Sequence, residues 1–178
     1  MKYIALLRGI NVGGNHKVEM KTLKRIFESL GFVNVSTYIN SGNVIFDSNE
    51  TQKNIEKKVF SSLKTEFTFE IPTLIKSETE IKQIANALPK QWKNDGNQRT
   101  DIAFLFAEID SKKTIELLPL QKEFIDVRYT KGAIFWNLDK VNRYKSQLAK
   151  LVGHKLYQFM TLRNVNTVRY LAQNVSNH

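Results

Sequence analysis

The chain contains no cysteine among its 178 residues, which excludes disulfides and thiolate metal sites. Histidine is nearly as scarce. His16, His154 and His178 stand far apart, no two of them at ligand spacing, so no metal is expected. No apolar run approaches the roughly 20 residues that span a bilayer. Only five apolar residues separate Lys2 from Arg8, too few for a signal-peptide core. The expectation is a soluble, cytoplasmic protein with no membrane partner. The nucleotide fingerprints GxxxxGK[ST] and GxGxxG are absent, as is the nucleophile elbow GxSxG. Glu66 and Glu70 lie four apart but across a predicted helix–strand junction, so no carboxylate pair suits acid–base work. No catalytic residue and no cofactor can be named from these residues.

Acidic residues are missing from both ends. Residues 1–18 carry Lys2, Arg8 and Lys17 with no acid, and residues 128–178 carry nine cations against Asp139 alone. These segments sum to +3 and +8, out of a total of +10. A basic pole joining both ends would attract nucleic acid, a phosphorylated small molecule or an acidic partner. The plainer reading is a basic surface kept for solubility.

What is present is a strongly patterned chain. Tyr3 to Leu7 reads as a strand apolar on both faces. Met20, Leu23, Ile26, Phe27 and Leu30 recur at helical spacing before a Gly31 stop. Val33 to Ile39, the turn Asn40 to Asn43 and Val44 to Phe46 read as a hairpin, with Val33, Val35, Thr37 and Ile39 on one face. Ile55, Val59 and Leu63 mark a second helix, and Phe69 to Ile75 a strand that Pro72 assigns to an edge. Strand, helix, strand, strand, helix, strand is the order of a ferredoxin-like unit.

A capping box at Ser77 and Glu80 opens a further helix that Pro89 ends, followed by a polar loop over residues 90–100. The order then begins again. Ile102 to Ala107 is predicted as a strand, Ser111 to Leu118 as a short helix, and Phe124 to Tyr129 with Ala133 to Leu138 as a hairpin. Asp139 is placed to cap a helix through Val141, Leu148, Leu151 and Val152. Lys155 to Met160 is the candidate fourth strand. Asn164 caps a last helix, which has no counterpart in the first half. The hairpins YINSGNVIF and YTKGAIFW resemble each other, which suggests a degenerate repeat; one larger mixed sheet is the alternative. The predicted class is therefore α+β: tandem ferredoxin-like (βαββαβ) subdomains with antiparallel sheets, plus an extra C-terminal helix. Residues 1–76 form the first subdomain, 77–100 a linking helix and loop, and 101–178 the second subdomain.

Three segments stand together in this order: LLRGINVGG (Leu6 to Gly14), TYINSGNVIF (Thr37 to Phe46) and TLRNVNTV (Thr161 to Val168). With them the chain resembles a widespread bacterial family of unknown function and similar length. That resemblance implies two ferredoxin-like subdomains and no known activity. Family members usually show an aromatic residue, often Trp, where this chain has Val165. If that aromatic stacks on a ligand, the contact is lost here; if it is packing, Val serves at lower volume.

Four places carry candidate chemistry, each with a structural alternative. Backbone N–H groups around Gly13 and Gly14, near Arg8, Asn11 and Lys17, could form an anion nest, or simply a tight strand-to-helix connection. In the NSGN hairpin, Tyr38, Ser41 and Asn43 could present polar groups to a ligand, or only build a turn. At the last helix, Arg163, Asn164, Asn166 and Thr167 surround an N-terminus that favours anions, with simple capping by Asn164 as the alternative. The second hairpin, Lys131 to Leu138, partly fits the RNA-recognition pattern K/R-G-F/Y-G/A-F-V-x-F/Y, at Lys131, Gly132 and Phe135. Core packing is the better account of Phe135 and Trp136. Together these point to a binding protein for an anionic ligand, nucleic acid or nucleotide, at a basic surface joining the glycine loop to the last helix. An enzyme acting on a small phosphorylated or carboxylate metabolite in a cleft between subdomains is the alternative, and a protein-interaction adaptor a third.

Overall fold

A strand apolar on both faces must lie inside a sheet with cover above and below. In the computed structural model, which describes residues 1–175, that segment is β1 (Lys2–Leu7), with every residue buried. The chain divides into two compact units, Met1–Glu80 with Asn174 and Val175, and Ile81–Gln173.

In the first unit β1 pairs antiparallel with β3 (Asn43–Asp47) and with β4 (Thr73–Ser77), and β2 (Val33–Tyr38) pairs with β3. The sheet order is β2-β3-β1-β4, that of a ferredoxin-like fold. Two helices cover one face. α1 (Met20–Ser29) buries Leu23, Ile26 and Phe27, and α2 (Gln52–Glu66) buries Ile55, Val59 and Leu63. They pack on Tyr3, Ala5, Leu7, Val44 and Phe46. α1 ends where expected, at Gly31 with φ +85°, whose N–H reaches the Glu28 carbonyl at 3.0 Å.

Two expectations in this unit need correction. The strand after α2 starts at Thr73 rather than Phe69. Phe67 and Phe69 instead pack against the core from the preceding loop. β4 is an edge strand, as Pro72 suggested. Nor do Val33 and Val35 share a face. Asn34 takes a left-handed φ of +53° and the register shifts between Val33 and Ser36, so Val35 is buried while Val33 is 59% exposed. A bulge turned the alternation over.

The second unit repeats the strand order. β5 (Gln98–Leu105), β6 (Asp126–Thr130), β7 (Ala133–Asp139) and β8 (Met160–Asn164) form a separate antiparallel sheet, β6-β7-β5-β8. The single mixed sheet is thereby excluded. Corresponding strand ends close alike: Leu7 N–H donates to Gly42 O at 2.8 Å, and Leu105 N–H to Gly132 O at 2.9 Å. The helical cover differs. Between β5 and β6 there is a 3-10 turn, Ala107–Ile109, and the four-residue α4 (Thr114–Leu117).

The helix expected from Asp139 does not form. Lys140–Asn142, Leu148–Leu151 and Lys155–Phe159 are short 3-10 turns, and Asp139 makes no capping bond. The apolar stripe is the reason: between Val141 and Leu148 only Tyr144 is available, and it is 85% exposed. Gln147, at φ +57°, then breaks the chain direction. Lys155–Phe159 is accordingly no strand. The fourth strand is β8, disguised because Thr161 and Arg163 put polar side chains on a buried face.

A helix follows the last strand of each sheet. α3 (Glu78–Ala87) leaves β4 through the capping box, with Ser77 N–H donating to Glu80 Oε2 at 2.9 Å and Glu80 N–H to Ser77 Oγ at 3.3 Å. α5 (Val165–Asn174) leaves β8 with Thr167 N–H donating to Asn164 Oδ1 at 2.9 Å. The last helix therefore has a counterpart after all. No helix among the described residues is long and apolar enough to cross a membrane.

Candidate functional site

In the first unit the glycine loop and the NSGN hairpin meet. Asn11 Nδ2 donates to Val18 O and to Asn40 O, both at 2.9 Å, and Asn11 Oδ1 accepts from Val18 N–H at 2.8 Å. One amide thus clamps the loop on itself and onto the hairpin. Gly42 lies so close that a Cβ there would stand 2.7 Å from Ile10 Cδ1 and 2.8 Å from Leu7 Cβ. Asn43 Nδ2 donates to Tyr38 O at 2.9 Å and to Ser41 Oγ at 3.0 Å, which holds the turn. Hence Asn11 and Asn43 are bound into backbone architecture.

Gly13 and Gly14 form the tip of a small hairpin. Asn15 N–H donates to Val12 O and Asn11 N–H to His16 O, each at 3.1 Å. Positive φ at both glycines, +60° and +79°, marks a two-residue turn of type I′ character. The turn projects Gly13, Gly14 and Lys17 into solvent. His16 anchors its base: the ring stacks on Phe69 at 4.4 Å, and Nδ1 lies 3.2 Å from Gly9 O. Arg8 N–H donates to Pro72 O at 2.9 Å.

The other four candidate residues lie in the second unit. Arg163 is 6% exposed; its NH1 donates to Thr161 Oγ1 at 3.0 Å and to Leu162 O at 2.8 Å. Burial pushes its guanidinium pKa down to about 10, still charged at neutral pH. It is an interior cation rather than part of a basic surface. Asn164 caps α5 and so occupies the Thr167 N–H, and Thr167 is itself buried. Asn166 is exposed, with Nδ2 3.4 Å from Asn94 O. Val165 is fully buried, so in this chain that position packs. Phe135 and Trp136, 2% and 0% exposed, offer bases no platform.

A cavity in the second unit escaped the sequence reading. It measures about 460 Å³ and is walled by Leu148, Leu151, Leu162 and Tyr157, with Tyr144 and Val152 at its rim. Arg99, Arg143 and Lys150 also line it. Asp101 engages Arg99 through Nε at 2.6 Å. Arg143 and Lys150 form no ion pair among the described residues. The cavity lies where the expected helix failed to form. The available signal was the stretch from Lys140 to Tyr157, which holds five cations, no acid and aliphatic residues that fit no helical stripe.

Residues 1–135 match the family described as Protein of unknown function (DUF1697). The chain belongs to that family. The match ends within β7, and most of the cavity wall follows it. Among solved structures, the conserved bacterial protein SP0830 from Streptococcus pneumoniae is similar over 97% of each chain, at 29% identity and a TM-score of 0.83. None of the curated proteins matches. The likeness to SP0830 agrees with the fold, and DUF1697 membership leaves the activity to be argued from the site.

Proposed function

We propose that the protein binds an anionic ligand, and that the second unit carries the binding surface. The observation behind this is the cavity lined by Arg143 and Lys150, which form no ion pair among the described residues, and by Arg99, which Asp101 engages from outside the wall. The unit around it has 16 basic against 8 acidic residues, net +8, whereas Met1–Glu80 has 11 against 9, net +2. An apolar floor lowers the local dielectric, so each cation attracts an anion more strongly than it would in open water. Nucleotides, single-stranded nucleic acid and small carboxylates or phosphates all belong to the class addressed. The glycine turn, with Gly13, Gly14 and Lys17 exposed, is a secondary contact point under the same reading.

The test is a salt titration of binding to a labelled oligonucleotide, a nucleotide and an aryl sulfonate. Affinity for at least one should fall several-fold between about 50 and about 200 mM salt. Absence of binding at the lower concentration, or binding with no salt slope, overturns the proposal.

A further inference from the structure

We infer that the cavity lined by Arg143 and Lys150 takes a small amphiphilic anion: one negative headgroup joined to an apolar body, such as a medium-chain or aryl carboxylate or sulfonate. This rests on the anion-binding reading above and narrows it. A site for inorganic phosphate, or for a nucleic-acid backbone, converges polar donors on the oxygens, because such ligands have little apolar area to bury. This cavity is built the other way. Its wall is aliphatic, from Leu148, Leu151 and Leu162, and its charge is confined to Arg99, Arg143 and Lys150. At about 460 Å³ it falls within the size range of pockets that enclose small molecules.

A second observation points the same way. Of the large apolar side chains that remain exposed, Val141, Tyr144 and Val152 belong to one short stretch, and the last two stand at the cavity rim. Solvent-facing aliphatic and aromatic groups beside unpaired cations favour a ligand with both characters. The Arg143 guanidinium lies 5.8 Å from the Tyr144 ring centre, so one cation is already held beside an apolar surface. Burying the apolar body supplies the affinity, and the cations set orientation and reject a neutral or cationic head.

The probe is 1-anilinonaphthalene-8-sulfonate, titrated into the full chain by fluorescence, with octanoate, octanol, octylamine, inorganic phosphate and a single-stranded oligonucleotide as competitors. Octanoate should displace the dye at least tenfold better than octanol, while octylamine and phosphate should be ineffective. The double variant R143Q/K150Q should weaken dye binding about tenfold at unchanged thermal stability. Lys145→Gln removes one positive charge, half the change of the double variant, from the same segment at a side chain that lies over Phe124 and does not line the cavity, and should leave binding unaltered. Equal loss with Lys145→Gln, or no loss with R143Q/K150Q, overturns the inference. So does displacement by phosphate or oligonucleotide but not octanoate; that outcome leaves the wider anion-binding proposal standing. Equal displacement by octanol and octanoate sinks both.

Discussion

The two units share a strand order and differ in what lies on the strands. In the first, α1 and α2, of ten and fifteen residues, cover the sheet with regular apolar stripes and leave Leu23, Phe27, Ile55 and Phe46 without solvent. In the second, a four-residue helix and separate 3-10 turns take their place, and a cavity with a cationic lining remains. The same sheet can thus be closed by regular helices or by irregular chain. Around the cavity, irregular chain brings Tyr144 and Val152 beside Arg143 and Lys150 without the apolar stripe of a regular helix. The better-covered unit is also nearly neutral, at +2 against +8.

The largest expected effect tests that difference in cover. Leu23→Ala, beneath α1, should cost about 4 kcal/mol in urea denaturation, since it opens a closed cavity. Leu148→Ala, on a wall that already borders open volume, should cost about 2 kcal/mol, the transfer term alone. Equal losses would mean that the second unit is as tightly filled as the first. Next, Gly42→Ala should destabilise by about 3 kcal/mol, from left-handed strain together with overpacking against Leu7 and Ile10. A loss below about 1 kcal/mol would show that the close approach of hairpin and loop is not required.

The helices that follow the two sheets offer a finer contrast. Ser77→Ala and Asn164→Ala should each cost about 1 kcal/mol. Only the first site is titratable. Burial pushes the Glu80 carboxyl up, but the Ser77 N–H, the Lys76 ammonium and the Ser77 hydroxyl together hold it below its usual 4.5. A carboxylate with a lowered folded pKa contributes stability in full above its unfolded value and loses it as pH falls through the folded one. Stability should therefore drop below about pH 4.5 in the parent, and Glu80→Gln should flatten that part of the curve. Asn164→Ala should leave its shape unchanged. The smallest effect is a gain. Ile39 is a β-branched residue at φ +48° and 48% exposed, so Ile39→Asn should add up to about 1 kcal/mol in the same denaturation assay. A loss would mean that its packing outweighs the strain.

The fold was legible where spacing reports one dominant burial face. Leu23, Ile26 and Phe27 or Ile55, Val59 and Leu63 admit only one helical reading, and both capping signals, Ser77 with Glu80 and Asn164, were readable from side-chain chemistry alone. Legibility failed where a local backbone event inverted the pattern, as at the Asn34 bulge. It failed again where polar groups went inside, as with Thr161 and Arg163 in β8. The glycine and NSGN motifs were visible as unusual. That Asn11 is spent on Val18 and Asn40 was not, because its partners are backbone carbonyls, which every residue possesses.

The sequence alone determined the element types in most of the chain, the absence of thiol chemistry and the excess of positive charge, since each follows from composition or from short-range spacing; that one strand order recurs in two separate sheets was decided by the fold. Tertiary structure decided which cations are interior, as with Arg163, and which border a cavity, as with Arg143 and Lys150. Burial is a property of surroundings brought together by folding, and a charged residue carries no mark of whether those surroundings will be water or hydrocarbon.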